Sequence, residues 1–235
     1  IALIKQKEII IHNLEERLLT LALFVDFKKA FDSINHNVLS NKLECYGIRG
    51  IALSLIKSYL LTRYQAVVIN HAVSEFLGVK SGVPQGSILG PLLFNVYIND
   101  IVNISLMTSQ DVTVDFIIYA DDTTLLFSGV SIAEIARKVH ITLENLKLWT
   151  ECNSLSVNVS KTRAMIFRPK NKVLHGDFDI YYDGRQIEKV SSFKTLGVIF
   201  SENLTWNMHV NYITKKLAAV NGVLSKHRYL LPEKV

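Results

Sequence analysis

The chain has 235 residues, of which 49% are hydrophobic and 20% are charged. This is the composition of a globular domain, and it excludes disordered, collagen-like and low-complexity proteins. The formal net charge of +5 is compatible with a nucleic-acid partner and equally with an ordinary globular protein, while two cysteines are too few for a disulfide scaffold.

The first predicted elements are a helix over residues 1–18 and a strand over residues 21–27. Apolar residues recur at helical spacing in the first segment, and the second is an apolar run of strand length. A carboxylate, Asp26, lies near the end of that run. A charge at the end of a buried strand requires a structural or chemical reason, so Asp26 is the first candidate functional residue.

The segment that follows is predicted to contain helices, a hairpin and a glycine-rich loop. Asp32 or Ser33 can cap a helix, which Gly47 ends. The remaining predicted elements of this segment are a helix over residues 51–61, hairpin strands over 65–70 and 74–80, a loop over 81–90 and a helix that Pro91 begins and Ile101 ends.

Two adjacent acids, Asp121 and Asp122, are flanked by the strand-like residues 116–120 and 123–127, which predicts a hairpin with both acids at its bend. The later predicted elements are a long helix with a Ser131 and Glu134 capping box, strands near Val157 and over 164–167, a hairpin at Asp183 and Gly184, a strand pair around 196–200 and a basic helix from about Trp206.

Taken singly, each acid has a structural explanation. Asp26 can be a hydrogen-bonded carboxylate at a strand end, and Asp121 and Asp122 can be turn formers. Together, two adjacent acids at the tip of an apolar hairpin repel each other and are desolvated unless cations neutralise them. Three carboxylates from two strand ends suit a pair of hard cations, and two such ions about 3.5–4 Å apart can support phosphoryl transfer. Nucleotide polymerisation is the natural candidate.

Several segments stand out by their order and spacing. They are residues 24–32 (FVDFKKAFD), 82–87 (GVPQGS) with 89–94 (LGPLLF), 119–122 (YADD), 158–162 (NVSKT), and 196–198 (LGV) followed by 204–206 (LTW) and His209. Together they strongly resemble the reverse transcriptases of non-LTR (LINE-type) retrotransposons. The resemblance covers nearly the whole chain, from about residue 15 to the end.

This resemblance implies an α+β fold, the right-hand polymerase palm, in which an antiparallel sheet is backed by helices, with partial fingers and a truncated thumb. It implies a nucleotidyltransferase, an RNA-directed DNA polymerase that adds deoxynucleotides to a primer 3′-end by two-metal-ion phosphoryl transfer. Within one reverse transcriptase domain over 1–235, the implied parts are the first palm segment and preceding helix (1–33), partial fingers (34–88), palm (89–200) and the start of the thumb (201–235).

The resemblance also implies the metal ligands. Asp26 and Asp121 would be the principal ligands of two Mg²⁺ ions, for which Mn²⁺ can substitute, with Asp122 as a weaker ligand. The backbone of Phe27 and Lys28 would contact metal or phosphate. One ion would lower the pKa of the primer 3′-hydroxyl, and the other would hold the triphosphate and the leaving pyrophosphate.

Three residues are implied to contact the nucleotide besides Lys28. Phe31 matches the steric gate that excludes a 2′-hydroxyl, and the alternative is an ordinary core phenylalanine. Gln85 and Gly86 lie in a loop that contacts the incoming nucleotide and the template, and the alternative is a plain turn. Asp32 is left outside the catalytic set, because a helix cap explains it.

Lys161 is implied to protonate or stabilise the leaving pyrophosphate, and the alternative is a surface lysine at a strand edge. Leu196 and Gly197 fall in the implied primer grip. The last helix would begin the thumb and bind phosphates, although solvated charges explain its cations nearly as well. These cations are Lys215, Lys216, Lys226 and Arg228.

The implied partners are an RNA template, a DNA primer, their hybrid and deoxynucleoside triphosphates, in the nucleus or the cytoplasm. No membrane partner is expected, because the longest uncharged run, 81–99, contains Gly and Pro turns. About 25 residues precede Asp26 and the first residue is Ile1, so we expect a fragment without the upstream fingers and with doubtful activity on its own.

Two alternatives stay open at the level of sequence. One is a decayed or domesticated copy that keeps the fold as a non-catalytic RNA-binding module. The other is an intron maturase-type reverse transcriptase. An upstream endonuclease in the extended reading frame would favour the retrotransposon, and a downstream maturase extension would favour the second alternative.

Overall fold

A computed structural model describes residues 1–107, 112–169, 171, 176, 178–227 and 229, so that Arg228 lies outside the described residues. The helices are α1 (Ala2–Glu15), α2 (His36–Cys45), α3 (Gly50–Leu61), α4 (Leu89–Ile98), α5 (Ile132–Cys152) and α6 (Asn207–Lys226), with 3-10 turns at Ala30–Ser33 and Asn99–Ser105. The strands are β1 (Leu19–Val25), β2 (Tyr64–Gln65), β3 (Val68–Ile69), β4 (Ala72–Val73), β5 (Leu77–Gly78), β6 (Asp115–Tyr119), β7 (Asp122–Gly129), β8 (Arg163–Phe167), β9 (Ile180–Tyr182), β10 (Arg185–Lys189), β11 (Ser192–Thr195) and β12 (Val198–Ser201).

A six-stranded sheet in the order β6-β7-β1-β8-β10-β9 forms the centre of the fold. β1 pairs antiparallel with both β7 and β8, and all seven of its residues are buried. The pairing of β8 with β10 is parallel, whereas the other pairings within this sheet are antiparallel. The predicted α+β architecture, a sheet backed by helices, is therefore confirmed, and the sheet is antiparallel except for this one pairing.

Other elements pack on both faces of the sheet at β1, which explains why the sequence of this strand is apolar throughout. Successive strand residues point to opposite faces. Leu21 and Leu23 enter the larger core with apolar residues of α2, α4 and α5, while Ala22 and Phe24 enter a smaller core with Ile10 of α1 and residues of the β11–β12 hairpin. Each fully buried leucine or phenylalanine contributes about 1.5–3 kcal/mol of transfer free energy, so β1 is firmly held at the centre.

The start of α2 differs from the prediction. Asn35 is the N-cap, and its Oδ1 accepts hydrogen bonds from the backbone N–H groups of Asn37 and Val38 at 2.9 and 3.3 Å. Asp32 and Ser33 lie instead in the preceding 3-10 turn. The prediction that one of them caps this helix is wrong, because the chain makes one extra short turn before the helix begins.

The predicted N-cap of α5 at Ser131 is confirmed, while the Glu134 carboxylate reaches one residue beyond the N–H that a capping box would use. The Ser131 hydroxyl accepts from the backbone N–H of Glu134 at 3.2 Å, and the Glu134 carboxylate accepts from the N–H of Val130 at 3.0 Å. Glu134 also pairs with the nearly buried Lys138 at 2.7 Å. This local pattern fixes the start of the long helix that covers one face of the sheet.

The predicted hairpin over 65–80 is present but interrupted. It consists of two short antiparallel pairs, β2 with β5 and β3 with β4, and its strands are exposed. Asn70 and His71 form its tip with φ values of +46° and +70°, which match the turn geometry of tight hairpins. Within the described residues, no helix is both long and apolar enough to cross a membrane.

Candidate active site

Three chain segments meet at one edge of the central sheet. Because β1 is antiparallel to both neighbours, the end of β1 lies beside the starts of β7 and β8. Asp26 follows β1, Asp122 begins β7, and Lys161 comes two residues before β8. Continuing the register one residue beyond the Val25–Thr123 pair places Asp26 opposite Asp122. The topology thus brings the sequence-predicted acids to the same edge.

The backbone of Asp26 is held by the loop that precedes β8. Its N–H donates to the Thr162 hydroxyl at 3.2 Å, and its carbonyl accepts from the N–H of Asn158 at 2.7 Å. The side chain of Asp26 is half-buried. Segment 158–162, which the sequence singled out for its lysine, therefore also positions the first acid.

The two residues after Asp26 are fixed by the same loop. Phe27 is buried and forms an isolated antiparallel bridge with Val157. The backbone N–H of Lys28 donates to the carbonyl of Ser156 at 2.8 Å. The predicted metal or phosphate contacts of this backbone stay predictions, and the Lys28 N–H is already engaged within the protein.

The tight β6–β7 hairpin brings two acids close to Asp26. Ala120, with φ of +53°, and Asp121 form its turn, and Asp122 pairs with Tyr119. Partial burial raises the pKa of the Asp122 carboxyl, and the negative charges of Asp121 and Asp26 raise it further. Because Asp122 is exposed, water screens the effect of these charges.

The donor chemistry of this cluster suits a hard cation, since all three side chains offer carboxylate oxygens. The charges that oppose ionisation of Asp122 are those a bound cation would relieve. In the part of the chain that the structure describes, however, no three His, Cys, Asp or Glu side chains are close enough to form a ligand group for one ion. Asp26, Asp121 and Asp122 stay the predicted ligands, and they do not form a closed cage.

Two cavities flank Asp26. One, of about 620 Å³, has Asp121, Phe31, Gln85 and Lys161 among its lining residues. The other, of about 310 Å³, lies on the side of Asp122. Asp26 and Lys161 line both cavities; the smaller one is also lined by Arg163, Phe193 and Thr195. The structure therefore brings together the predicted acids, the predicted gate, the glycine-loop glutamine and the lysine.

Phe31 packs in the core and also lines the larger cavity. Its ring stacks on Phe94 of α4 with centroids 4.5 Å apart, and it packs against the main core. It is half-buried and lines the larger cavity with Asp26. The Phe31 side chain is thus both part of the core and part of the cavity wall. Its role as a steric gate stays a prediction.

The glycine loop approaches the segment after Phe31 at Gly82. A Cβ added to Gly82 would lie 2.8 Å from the Cα and carbonyl oxygen of Asp32, and Gly82 has φ of +85°. Gly86, by contrast, has no heavy atom of the described residues within 4 Å of its added Cβ, and its predicted contact with the nucleotide stays a prediction. Gln85 Nε2 donates to Asp32 Oδ1 at 2.9 Å. Sequence reasoning missed this pair, and no local pattern connects the two positions.

The predicted primer-grip segment forms a hairpin beside the smaller cavity. Leu196 and Gly197, with φ of +46° and +85°, make the turn between β11 and β12. Phe193 of β11 stacks on Phe24 of β1 with centroids 4.4 Å apart. This packing attaches the hairpin to the strand that carries Asp26.

The cations of α6 lie near the same hairpin. Lys194 of β11 donates to the Tyr212 hydroxyl at 2.6 Å, and Lys216 lies 4.9 Å from the centre of that ring. Hydrogen bonds from these two lysines lower the pKa of Tyr212. Lys215 is exposed on α6. The resulting positive surface is available to phosphates, although no contact in the structure tests that role.

The fold and site together define a right-hand polymerase palm. Two solved telomerase structures from Candida tropicalis support this fold. The apo enzyme truncated from its C-terminal domain matches with a TM-score of 0.56 and 15% identity, covering 85% of this chain and 39% of that one. The enzyme in complex with a TWJ fragment of telomeric RNA matches with a TM-score of 0.58 and 13% identity, covering 86% and 32%. At these identities the likeness shows the fold alone.

The chain belongs to the reverse transcriptase (RNA-dependent DNA polymerase) family, whose model matches residues 3–200. It is similar to the probable RNA-directed DNA polymerases of two Drosophila melanogaster transposons. The X-element protein is 28% identical over 94% of this chain and 24% of its own length, and the BS protein is 31% identical over 83% and 21%. The RNA-directed DNA polymerase of the jockey mobile element is 29% identical over 81% and 20%.

These relatives confirm the predicted likeness to reverse transcriptases of non-LTR retrotransposons. The chain spans about a quarter or less of their length. The family and the fold of this chain are therefore established.

Proposed function

We propose that this chain adds deoxynucleotides to a primer 3′-end on an RNA template. One observation carries the proposal. Asp26 lies opposite Asp122 at the sheet edge, and it shares a cavity with Asp121, Phe31 and Gln85. This combination offers carboxylates for cations, a ring for the sugar and an amide for the nucleotide in one space. Membership of the reverse transcriptase family supports the same activity.

The proposed metal site consists of Asp26, Asp121 and Asp122, which would hold two Mg²⁺ ions or, in their place, Mn²⁺. When bound, such ions supply activation of the primer 3′-hydroxyl and stabilisation of the departing pyrophosphate. The hydrogen bonds of Thr162 and Asn158 fix the backbone of Asp26, from which the first carboxylate extends. This preorganisation reduces the rearrangement needed when the ligands of the reaction bind.

The remaining roles follow from the cavity walls. The Phe31 ring, braced by Phe94, would meet the sugar and exclude a 2′-hydroxyl. Gln85 would offer its amide to the nucleotide. Gly86, which has no side chain, would let the loop backbone come close to a base pair or sugar. Lys161 lines both cavities, and its ammonium would offset negative charge on the pyrophosphate.

The proposed partners are an RNA template, a DNA primer and deoxynucleoside triphosphates, in the nucleus or the cytoplasm. The relatives named as RNA-directed DNA polymerases support a nucleic-acid substrate. The turn at Leu196 and Gly197 would contact the primer, and Lys215 and Lys216 would contact phosphates of the hybrid. Lysines that neutralise phosphates make binding depend steeply on salt.

The test is incorporation of a single deoxynucleotide on a primed RNA template with Mg²⁺. Asp121→Asn keeps the size of the side chain but removes its charge. Asp183→Asn is the matched control, because Asp183 pairs with Lys147 and lines neither cavity beside Asp26. We expect activity in the parent and the control, and a loss of at least 100-fold in Asp121→Asn, an effect on the scale of removing one catalytic electrostatic group. Equal activity in all three, or none in the parent, would contradict the proposal.

A further inference from the structure

Asp32 directly follows the predicted gate and contacts the glycine loop. Its carboxylate Oδ1 accepts a hydrogen bond from Gln85 Nε2 at 2.9 Å, across 53 positions of sequence. Both side chains are exposed at the rim of the site, and Gln85 lines the cavity that contains Asp26 and Phe31. With the helix-cap explanation for Asp32 removed, this bond is the contact that accounts for its side chain.

A carboxylate and an amide recognise each other in one orientation only. An ionised Asp accepts hydrogen bonds and cannot donate, whereas a Gln amide carries a donor end and an acceptor end. Asp32 therefore selects the orientation in which Nε2 of Gln85 faces it. The Oε1 atom and the second N–H then remain for a ligand in the cavity.

We propose that Asp32 is a positioning residue that fixes the orientation of the Gln85 amide and so sets the affinity of the site for the incoming nucleotide. This inference rests on the proposed function. It assigns a role to an acid that neither binds the cations nor caps a helix.

The loop does not depend on the Asp32 side chain to stay in place. Its backbone is bound by Gly82 N–H to the Ile34 carbonyl at 2.8 Å and by Val83 N–H to the Phe31 carbonyl at 2.9 Å. The His36 ring adds a hydrogen bond to the Gly82 carbonyl at 2.7 Å. These bonds already hold the loop in place. The Asp32 carboxylate therefore serves to orient the Gln85 amide rather than to attach the loop.

Two variants of Asp32 separate loss of the preferred orientation of the Gln85 amide from loss of any hydrogen-bond partner for it. Asp32→Ala removes the acceptor, while Asp32→Asn keeps a partner that satisfies Gln85 in either orientation. We expect the nucleotide KM to rise about tenfold in Asp32→Ala, equivalent to about 1.4 kcal/mol. We expect a rise of about threefold in Asp32→Asn, because about half of the molecules then present the amide in the wrong orientation and the bond is weaker. In both variants kcat should change less than twofold.

The chain provides a matched control. Gln186 Nε2 donates to Asp179 Oδ1 at 2.8 Å, another exposed Gln–Asp pair that does not line either cavity beside Asp26. Asp179→Asn should leave KM and kcat unchanged. A KM in Asp32→Asn equal to that of the parent would overturn the proposal. A KM below that of the parent would also overturn the proposal. It would mean that the negative charge of Asp32 acts by repelling the triphosphate, so that removing this charge improves binding.

A double-mutant cycle tests whether Asp32 acts through Gln85. In a Gln85→Ala background, Asp32→Ala should raise KM by less than twofold, since there is no amide left to orient. Contacting residues that act together give such non-additive effects. Independent, multiplicative effects of the two substitutions would overturn the proposal.

The orientation can also be measured without turnover, which distinguishes its failure from failure of the proposed function. With ¹⁵N-labelled glutamine, the side-chain amide resonance of Gln85 should shift in Asp32→Asn while that of Gln186 does not. An unchanged Gln85 resonance overturns the positioning role even in an active enzyme. An inactive parent contradicts the proposed function, and the resonance still decides whether Asp32 orients the amide.

Discussion

Gly82→Ala is expected to destabilise the protein more than Gly86→Ala, because only Gly82 is in close contact with another part of the backbone. An added Cβ at Gly82 would lie 2.8 Å from both the Cα and the carbonyl oxygen of Asp32, and 3.0 Å from its carbonyl carbon. Gly86 has a similar φ, +78° against +85°, with open space around its added Cβ. Comparing the two substitutions therefore separates the cost of the left-handed backbone conformation from the cost of the steric clash with Asp32.

The magnitudes follow from these two contributions. A non-glycine residue in the left-handed region costs about 1–2 kcal/mol, and both substitutions incur this cost. Displacing packed backbone to admit an extra carbon costs about 1–3 kcal/mol more, and only Gly82→Ala incurs it. We expect a loss of about 2–5 kcal/mol for Gly82→Ala and about 1–2 kcal/mol for Gly86→Ala.

Urea unfolding followed by circular dichroism measures both losses, provided that the m-value stays that of the parent. The same Gly82→Ala chain, assayed below its unfolding midpoint, should show a higher nucleotide KM because Gln85 moves with the loop. Equal destabilisation by the two substitutions would refute the inferred close approach of Gly82 to Asp32.

Three further predictions concern the elements around the site. Thr162→Val removes the acceptor for the Asp26 N–H and should cost about 1–2 kcal/mol of unfolding free energy; an unchanged urea midpoint would show that this bond is not formed in solution. Asp122→Asn should raise the stability of the metal-free chain in EDTA by about 0.5 kcal/mol, because burial and the charges of Asp121 and Asp26 oppose ionisation of that carboxyl and raise its pKa; a loss of stability would contradict this. Glu134→Gln should cost about 1 kcal/mol at pH 7. The hydrogen bond from Lys138 and that from Val130 lower the Glu134 pKa, so this stabilisation is complete above pH 4.5 and lost as the pH falls through the lowered value; a difference between parent and variant that persists unchanged at pH 3 would refute it.

The elements that sequence could predict are those specified by local patterns. The apolar run of β1 and the period of α5 required only neighbouring residues, and both are confirmed. The N-cap at Ser131 is likewise part of a pattern of residues three apart. The acids at the strand ends could be found because a charge in an apolar segment is conspicuous without knowledge of the fold.

The start of α2 could not be chosen from sequence. Asp, Ser and Asn cap helices about equally well, and Asp32, Ser33 and Asn35 follow each other closely. The deciding factor is the 3-10 turn over Ala30–Ser33, which packs its buried Ala30 and leads the chain to Asn35. Local preference leaves these candidates equal, and tertiary packing selects one of them.

The arrangement around Gln85 was also beyond local reasoning. The sequence predicted a glycine-containing loop over residues 81–90 but could not tell which glycine approaches other backbone. That distinction depends on segment 31–34 pairing with the loop, a contact between positions about fifty residues apart. The Asp32–Gln85 bond follows from the same pairing.

The central claim is that Asp26, Asp121 and Asp122 form a cation site that serves nucleotide addition. Electron paramagnetic resonance of Mn²⁺ tests it directly, because the signal of free Mn²⁺ falls as the ion binds protein. We expect the parent and the Asp183→Asn control to bind Mn²⁺ alike and Asp26→Asn to bind it at least tenfold more weakly. Equal Mn²⁺ affinity in the parent and Asp26→Asn would contradict the account.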